Sequence, residues 1–474
     1  MKLYKISILF LLFCISVFPQ STFAAEKPQE EVEEMFTIKD TLLYGIESEI
    51  QSFVKEQKTE LSEEHMNILY ERYLSAVLIQ TKIEMVRYFT QCENLPENIK
   101  TYIAAEATGE DTDKELRMIQ FSFLAKHANQ DSIDFLIDQL SENDIVTQQN
   151  AAVALSKADK EPTAELVLEY LKSTDTTIIN DTTDDSEYSE DEDFEDNEEM
   201  AELSDDIKTI LLRAFGEWKY QPATDYLKQL LESEISGKFV KMYAMSSLAQ
   251  IGDLSAVELM REKLGDPEVK VREFAAASLA SFENATVLPI YMDMLRHNDA
   301  KIRVYACQGI AKNKDTTKVD LLLYKFQKDP DTSVKNEALW TLLSMGNTGI
   351  TPLKETLDKK KLSPSTLGSI ATGTVKTPSA ENVAFLKELY ENADKAGKKV
   401  VEKIVFRTDS HFLDPILELL LQSDDPQIRL AAAGTLKKIK DTTLINKLKD
   451  MKENDSDAAV KRTAAKTLEI IGIQ

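Results

Sequence analysis

The residues with most to offer a metal ion or a proton-transfer step are four histidines, His65, His127, His297 and His411. No two lie at a metal-ligand spacing, and none stands in a Cys/His cluster. Asp409-Ser410-His411 holds the residue types of a hydrolytic triad, but adjacency along a chain is not triad geometry. Asp191, Asp193 and Glu195, with Glu202 at the twelfth position, copy the spacing of a calcium loop. Asp196 stands where that loop needs glycine, and Glu198 where it needs an apolar residue, so only weak, diffuse divalent binding is expected. There is no Gly-x-Ser-x-Gly, no phosphate loop and no dinucleotide fingerprint. Gly368 and Gly373 read as part of a helix. The sequence therefore predicts no catalytic residue, no metal site and no cofactor.

What the spacing does show is a repeat. Val271-Arg272 is followed by Ala275 and Leu279, and Ile302-Arg303 by Ala306 and Ile310. Val240-Lys241, Val334-Lys335, Ile428-Arg429 and Val460-Lys461 open the same pattern. The cations Lys241, Arg272, Arg303 and Lys335 recur at a near-constant interval, and Arg429 and Lys461 repeat it. Apolar residues at i, i+3 or i+4 and i+7 belong to a helix, not a strand. Asp299, Asp331, Asp425 and Asp457 stand four before their cations, where a carboxylate can cap the first turn. A second helix precedes each of these, with Pro289, Pro352 and Pro415 evenly spaced at two periods each. Their recurrence predicts a proline-bent helix in the unit. The fold class expected is all-α: a right-handed α-solenoid of stacked two-helix units of about 31 residues.

The motif Asp-x-x-Val/Ile-Arg/Lys-x-x-Ala-x-x-x-Leu resembles HEAT repeats of the short, phycobilisome-lyase-like type, in an exported bacterial member. It is clear over 207–345 and 424–472, and degenerate over 38–113 and 346–423. The resemblance implies an inter-repeat hydrogen-bonded ladder from Asp299/Arg303, Asp331/Lys335, Asp425/Arg429 and Asp457/Lys461, a structural role. Two enzyme families resemble this array. Deoxyhypusine hydroxylases need His-Glu pairs, whereas Met66, Ala128, Asn298 and Phe412 follow the four histidines here. Bilin lyases share the repeat type, but an exported chain has no obvious access to their substrates.

The chain has 474 residues, 43% of them apolar, which excludes global disorder. Its 14 glycines and 13 prolines are few for a sandwich, a barrel or a doubly wound sheet. A net charge of −26 argues against nucleic-acid binding. That charge is uneven: 300–474 carries +6 and 1–299 carries −32. Residues 181–206 hold 15 acids and no Lys or Arg, which predicts a disordered insertion spanning 175–206. Basic clusters stand at Lys359, Lys360 and Lys361, at Lys398-Lys399 and at Lys437-Lys438; the first is the candidate contact for an acidic partner.

Lys2 and Lys5 precede an apolar run over 6–18, and Thr22-Phe23-Ala24 offers small residues for cleavage between Ala24 and Ala25. A signal peptide over 1–24 is expected, then an acidic flexible segment over 25–37 and divergent N-terminal helices over 38–113. Repeats follow over 114–174 and 207–474. No later segment approaches the roughly 18 apolar residues of a span, so none is expected in the mature chain. Only Cys92 and Cys307, far apart in the chain, follow the signal, which excludes a disulfide scaffold. The compartment expected is the periplasm, with secretion or a lipid on Cys14 as alternatives. The function expected is that of a non-enzymatic scaffold or adaptor binding envelope proteins along the solenoid. The alternative is an ion- or envelope-polymer-binding protein using the insertion or the lysine clusters.

Overall fold

The structure is a computed structural model that describes residues 37–127, 129–175, 203–357, 362–408, 411–436 and 441–473. The expected signal segment with Ala24 and Ala25, most of the acidic stretch, Lys359, Lys360, Lys361 and 437–440 lie outside them. The described residues form helices and short 3₁₀ turns, with no strand.

The chain divides into two units. The first comprises residues 1–88 and 92–96; the second comprises 89–91 and 97–474. The helices of the first unit are α1 (Ile38–Tyr44), α2 (Glu47–Glu56), α3 (Glu63–Ser75) and α4 (Ile79–Gln91), the last three residues of α4 falling in the second. Divergent helices were expected over 38–113, and here they are short. The chain breaks between α1 and α2 at Gly45-Ile46 and between α3 and α4 at 76–78, with Gly45, Ile46 and Ala76 extended. Glu47 ties the breaks together: its carboxylate accepts from the N–H of Val77 (2.9 Å) and Leu78 (3.0 Å) and from the Thr81 hydroxyl (2.7 Å).

The second unit opens with α5 (Glu97–Thr108), α6 (Lys114–Lys126), α7 (Gln130–Asp138), α8 (Ile145–Lys157) and α9 (Lys160–Thr174). It continues with α10 (Asp205–Glu217), α11 (Thr224–Glu232), α12 (Lys238–Ile251), α13 (Val257–Glu262), α14 (Val269–Ala280), α15 (Leu288–Met294) and α16 (Ala300–Lys312). Then come α17 (Val319–Lys328), α18 (Thr332–Ser344), α19 (Asn347–Leu357), α20 (Pro364–Lys376), α21 (Ala380–Glu391) and α22 (Lys395–Val405). The last four are α23 (Asp414–Leu420), α24 (Pro426–Thr435), α25 (Thr442–Asn454) and α26 (Ala458–Ile470). Even-numbered helices pack side by side from α6 to α22, and α24 packs on α26. Odd-numbered helices form the second layer, with α17 to α23 in continuous contact. Contact between near neighbours only is the mark of a solenoid.

Local chemistry explains the ends of these helices. Asp299, Asp331, Asp425 and Asp457 cap α16, α18, α24 and α26, accepting from the second N–H beyond each at 2.7–2.9 Å. Each satisfies a donor that the helix geometry leaves open. The prolines differ from the expectation. Pro289 and Pro415 sit in the first turns of α15 and α23, just after a 3₁₀ turn, and only Pro352 lies inside a helix. At a first turn the missing N–H has no partner to lose, so proline starts the helix rather than bending it.

The core runs through the second unit as a single cluster of buried aliphatic residues and alanines. Ala276 is fully buried on α14, where α12 and α16 pack on either side. We expect Ala276→Leu to overpack that seam and cost about 1–3 kcal/mol. An unchanged urea midpoint would show that the seam lies elsewhere. Cys92 and Cys307 are free and buried, and burial pushes their thiols up to about 11 and about 12. Thiols held protonated in this way are poor nucleophiles.

Candidate protein-binding face and inter-repeat polar links

The ladder residues do not pair as the resemblance implied. Arg303 is 7% exposed and grips Asp329, not Asp331, with Nε to Oδ2 at 3.0 Å and Nη2 to Oδ1 at 2.8 Å. Its third nitrogen donates to the carbonyls of His297 and Asn298, both at 2.9 Å. Arg429 repeats this on Asp455, not Asp457, at 2.8 Å twice, and on the carbonyl of Ser423 at 2.8 Å. In both cases the gripped acid also accepts the N–H of the cap aspartate two residues on. The repeat cation thus closes its own unit by bonding carbonyls beyond its first helix. It reaches the next unit only where an acid stands 26 residues downstream. Arg272 has Asn298 at that position and, among the described residues, bonds the carbonyls of Asp266 and Pro267 alone. Lys461 donates to the carbonyl of Glu453, and Lys335 has no such bond among the described residues.

These links are charge-assisted and bidentate, the strongest geometry available to arginine. Burial works against the charge on Asp329, but bonds from Arg303, the Asp331 N–H and Lys325 hold its carboxyl below the ordinary value. Arg429 does the same for Asp455.

A second polar link was not foreseen. Ser247, Thr341 and Thr467 are buried and donate their hydroxyls to the carbonyls of Leu212, Cys307 and Ala433 in the preceding even helix, at 2.7, 3.1 and 2.9 Å. Each stands six positions after its repeat cation, so the signal was present in the register.

Nor was the role of Asp175 foreseen. Composition placed it in the acidic insertion, yet it is 2% exposed. Its carboxylate accepts from Lys208 Nζ at 3.0 Å and from the Tyr226 hydroxyl at 2.7 Å. Leu203, from the other edge of the stretch, is buried too, and Asp205 and Asp206 begin α10.

No group of three or more His, Cys, Asp or Glu among the described residues is placed to hold a metal. His297 accepts the Asp299 N–H on Nδ1 at 3.0 Å, and the His127 ring lies 4.7 Å from Phe123. No described helix is long and apolar enough to cross a membrane.

Two features of the even-numbered layer are suited to contact. The first is an aromatic row. Tyr243, Phe274 and Tyr305 stand one period apart on α12, α14 and α16, two positions after each cation and half-buried. The Tyr243 and Phe274 rings meet edge to face at 6.0 Å, and Arg213 of α10 lies 5.7 Å from the Tyr243 ring. The second is an open cleft of about 430 Å³ between α18, α20 and α22. Asn336 and Trp340 line one side, Gly368, Ser369 and Thr372 the floor, and Val400 and Ile404 the other side. Trp340 is half-buried and packs against the core, and Gly373 lets its ring approach α20: a Cβ at 373 would lie 2.5 Å from Trp340 Cδ1. The indole N–H donates to the Ser369 carbonyl at 3.0 Å, and Lys376 Nζ sits 3.5 Å from the ring centroid.

The family model for HEAT repeats matches residues 409–473. No curated protein sequence matches the chain. Among solved structures, YibA of E. coli is similar with 14% identity and a TM-score of 0.35, over 64% of this chain and 93% of that one. The CpcE and CpcF complex of phycocyanin lyase from Nostoc sp. gives 17% and 0.30, over 56% of this chain and 95% of that one. The karyopherin Kap121p bound to the extreme C-terminus of the protein phosphatase Cdc14p gives 11% and 0.39; 92% of this chain covers 49% of that one. With its paired helices and recurring capped cation motif, the chain is an all-α helical-repeat solenoid whose C-terminal residues 409–473 match HEAT repeats.

Proposed function

We propose that this protein is an exported, non-enzymatic scaffold that binds other proteins of the cell envelope along its even-numbered helices. The observation that carries the reading is the aromatic row. Three consecutive repeats each place one half-buried ring, Tyr243, Phe274 and Tyr305, at the same register. Large rings with little rotamer freedom give contact area at low entropic cost, and they dominate protein interfaces. Solenoids present such rows over a long surface because each unit adds a small rotation. The N-terminal charge, apolar run and small residues before Ala25 support export, with the periplasm as the compartment.

The test is purification of the tagged chain from its own cells after cross-linking in the envelope fraction. The recovered chain is expected to begin at Ala25 and to carry a protein partner in near-stoichiometric amount. Loss of that partner on Tyr243→Ala/Phe274→Ala, with helicity unchanged, is the result that supports the face named here. An intact Met1 or a lipid on Cys14 overturns the proposed processing, and recovery without any protein partner overturns the scaffold.

A further inference from the structure

The cleft between α18, α20 and α22 lies in the basic half of the chain, 300–474, which carries +6. The whole chain carries −26, yet α20 has no acidic residue and ends in exposed Lys376. On α22, Lys395, Lys399 and Lys403 are exposed, and Lys398 lies 5.5 Å from the Tyr390 ring. The one acid of α22, Glu402, is 9% exposed and accepts from the Tyr390 hydroxyl at 2.8 Å. Across the cleft on α18, Glu337 is half-buried and bonded to Gln308 of the preceding repeat. Lys399 and Lys403 adjoin in sequence the two cleft side chains Val400 and Ile404, and Lys376 lies over Trp340. An apolar depression is thus bordered by cations on a strongly acidic protein.

We infer that this cleft is the docking site for an acidic segment of a partner protein that inserts one large apolar side chain between Trp340 and Ile404. The inference rests on the scaffold reading and names the partner chemistry for one site on that layer. The cations select the acidic flanks, and the cleft, lined by Val400, Ile404 and the indole, takes the anchor. An acidic segment meets repulsion along 1–299, which carries −32, whereas 300–474 carries +6, so the basic half and the lysines at the cleft's border direct it here.

The test uses the full chain and a fluorescein-labelled peptide of glutamates with one central phenylalanine, read by anisotropy. Saturable binding is expected, weaker by about tenfold or more when that phenylalanine becomes alanine. Lys399→Glu/Lys403→Glu should weaken it by a similar factor, because both lysines are exposed and the fold does not depend on them. Thr372→Trp keeps every charge but fills the cleft, and should also abolish binding, with circular dichroism confirming unchanged helicity. Equal affinity for an all-glutamate peptide overturns the proposal, as does binding untouched by either variant. Competition by polygalacturonate as effective as by unlabelled peptide also overturns it, in favour of a polymer surface. A partner captured equally by wild type and both variants removes this cleft but leaves the scaffold standing. Failure of the wild-type chain to capture any protein removes the scaffold itself.

Discussion

Arg303→Ala should lower the unfolding free energy by about 3 kcal/mol, the low end of the cost of removing one partner from a buried charge pair. The substitution removes both bonds to Asp329, which is 3% exposed, and both bonds to the carbonyls of His297 and Asn298. Lys325, 3.2 Å from Asp329, and the Asp331 N–H remain, so the acid is weakened rather than orphaned. The internal control is Arg272→Ala. Arg272 binds only two carbonyls among the described residues and is half-exposed, so its loss should cost about 0.5–1.5 kcal/mol. Equal urea midpoints for the two variants would refute the bidentate pair as a link between repeats. Arg303→Ala/Asp329→Ala should recover part of the loss, because the buried acid goes with its partner.

The same geometry sets an acid limit. The carboxyls of Asp329 and Asp455 are held below the ordinary value of 3.8. A group with a depressed folded pKa contributes stability that is fully present above its unfolded value. That contribution is lost as pH falls below 3.8 through the folded values. Wild-type stability should therefore fall more steeply below pH 3.8 than that of Arg303→Ala, which lacks the Arg303 bonds that help to lower Asp329.

What could be read beforehand, and what could not, follows from the range of each interaction. Helix period, repeat length and the caps at Asp299, Asp331, Asp425 and Asp457 are set within one or two turns, and residue types reveal them. The ladder acids were assigned two positions too late. Asp329-x-Asp331 and Asp455-x-Asp457 each offer two carboxylates, and only tertiary packing decides which faces the arginine. The room for the Trp340 ring comes from Gly373, a contact made across to the next even-numbered helix that residue type does not reveal. Pro289 and Pro415 were assigned to helix interiors because periodicity does not distinguish a 3₁₀ turn from the helix it leads into. Composition erred at Asp175 for the opposite reason. Averaging over an acidic window erased a single acid whose partner, Lys208, lies beyond that window.

That partner makes the second large effect. Asp175→Ala should cost about 3–5 kcal/mol, since it strands Lys208 as a buried cation and leaves the Tyr226 hydroxyl without its acceptor. Both ionised side chains are almost fully enclosed, at 3% for Lys208 and 0% for Asp175. Water cannot replace either partner there without opening the layer. Tyr226→Phe keeps the ion pair and removes one hydrogen bond, so its cost should stay near about 0.5–1.5 kcal/mol. The informative comparison is Asp175→Leu/Lys208→Met, which removes both charges and keeps most of the volume. If the pair serves stability alone, the double variant should unfold at or above the wild-type midpoint, because apolar packing commonly outdoes a buried ion pair. The pair's place in the chain argues for a further role. Asp175 follows α9 and Lys208 lies in the first turn of α10, so one ion pair joins the two edges of 176–202. Polar pairing of this kind specifies which groups meet, where apolar contact would accept a shifted register. The double variant should then keep its midpoint but lose protection of the α10 amides in hydrogen exchange. Single variants should lose both, and full α10 protection in the double variant would leave the pair no role in register.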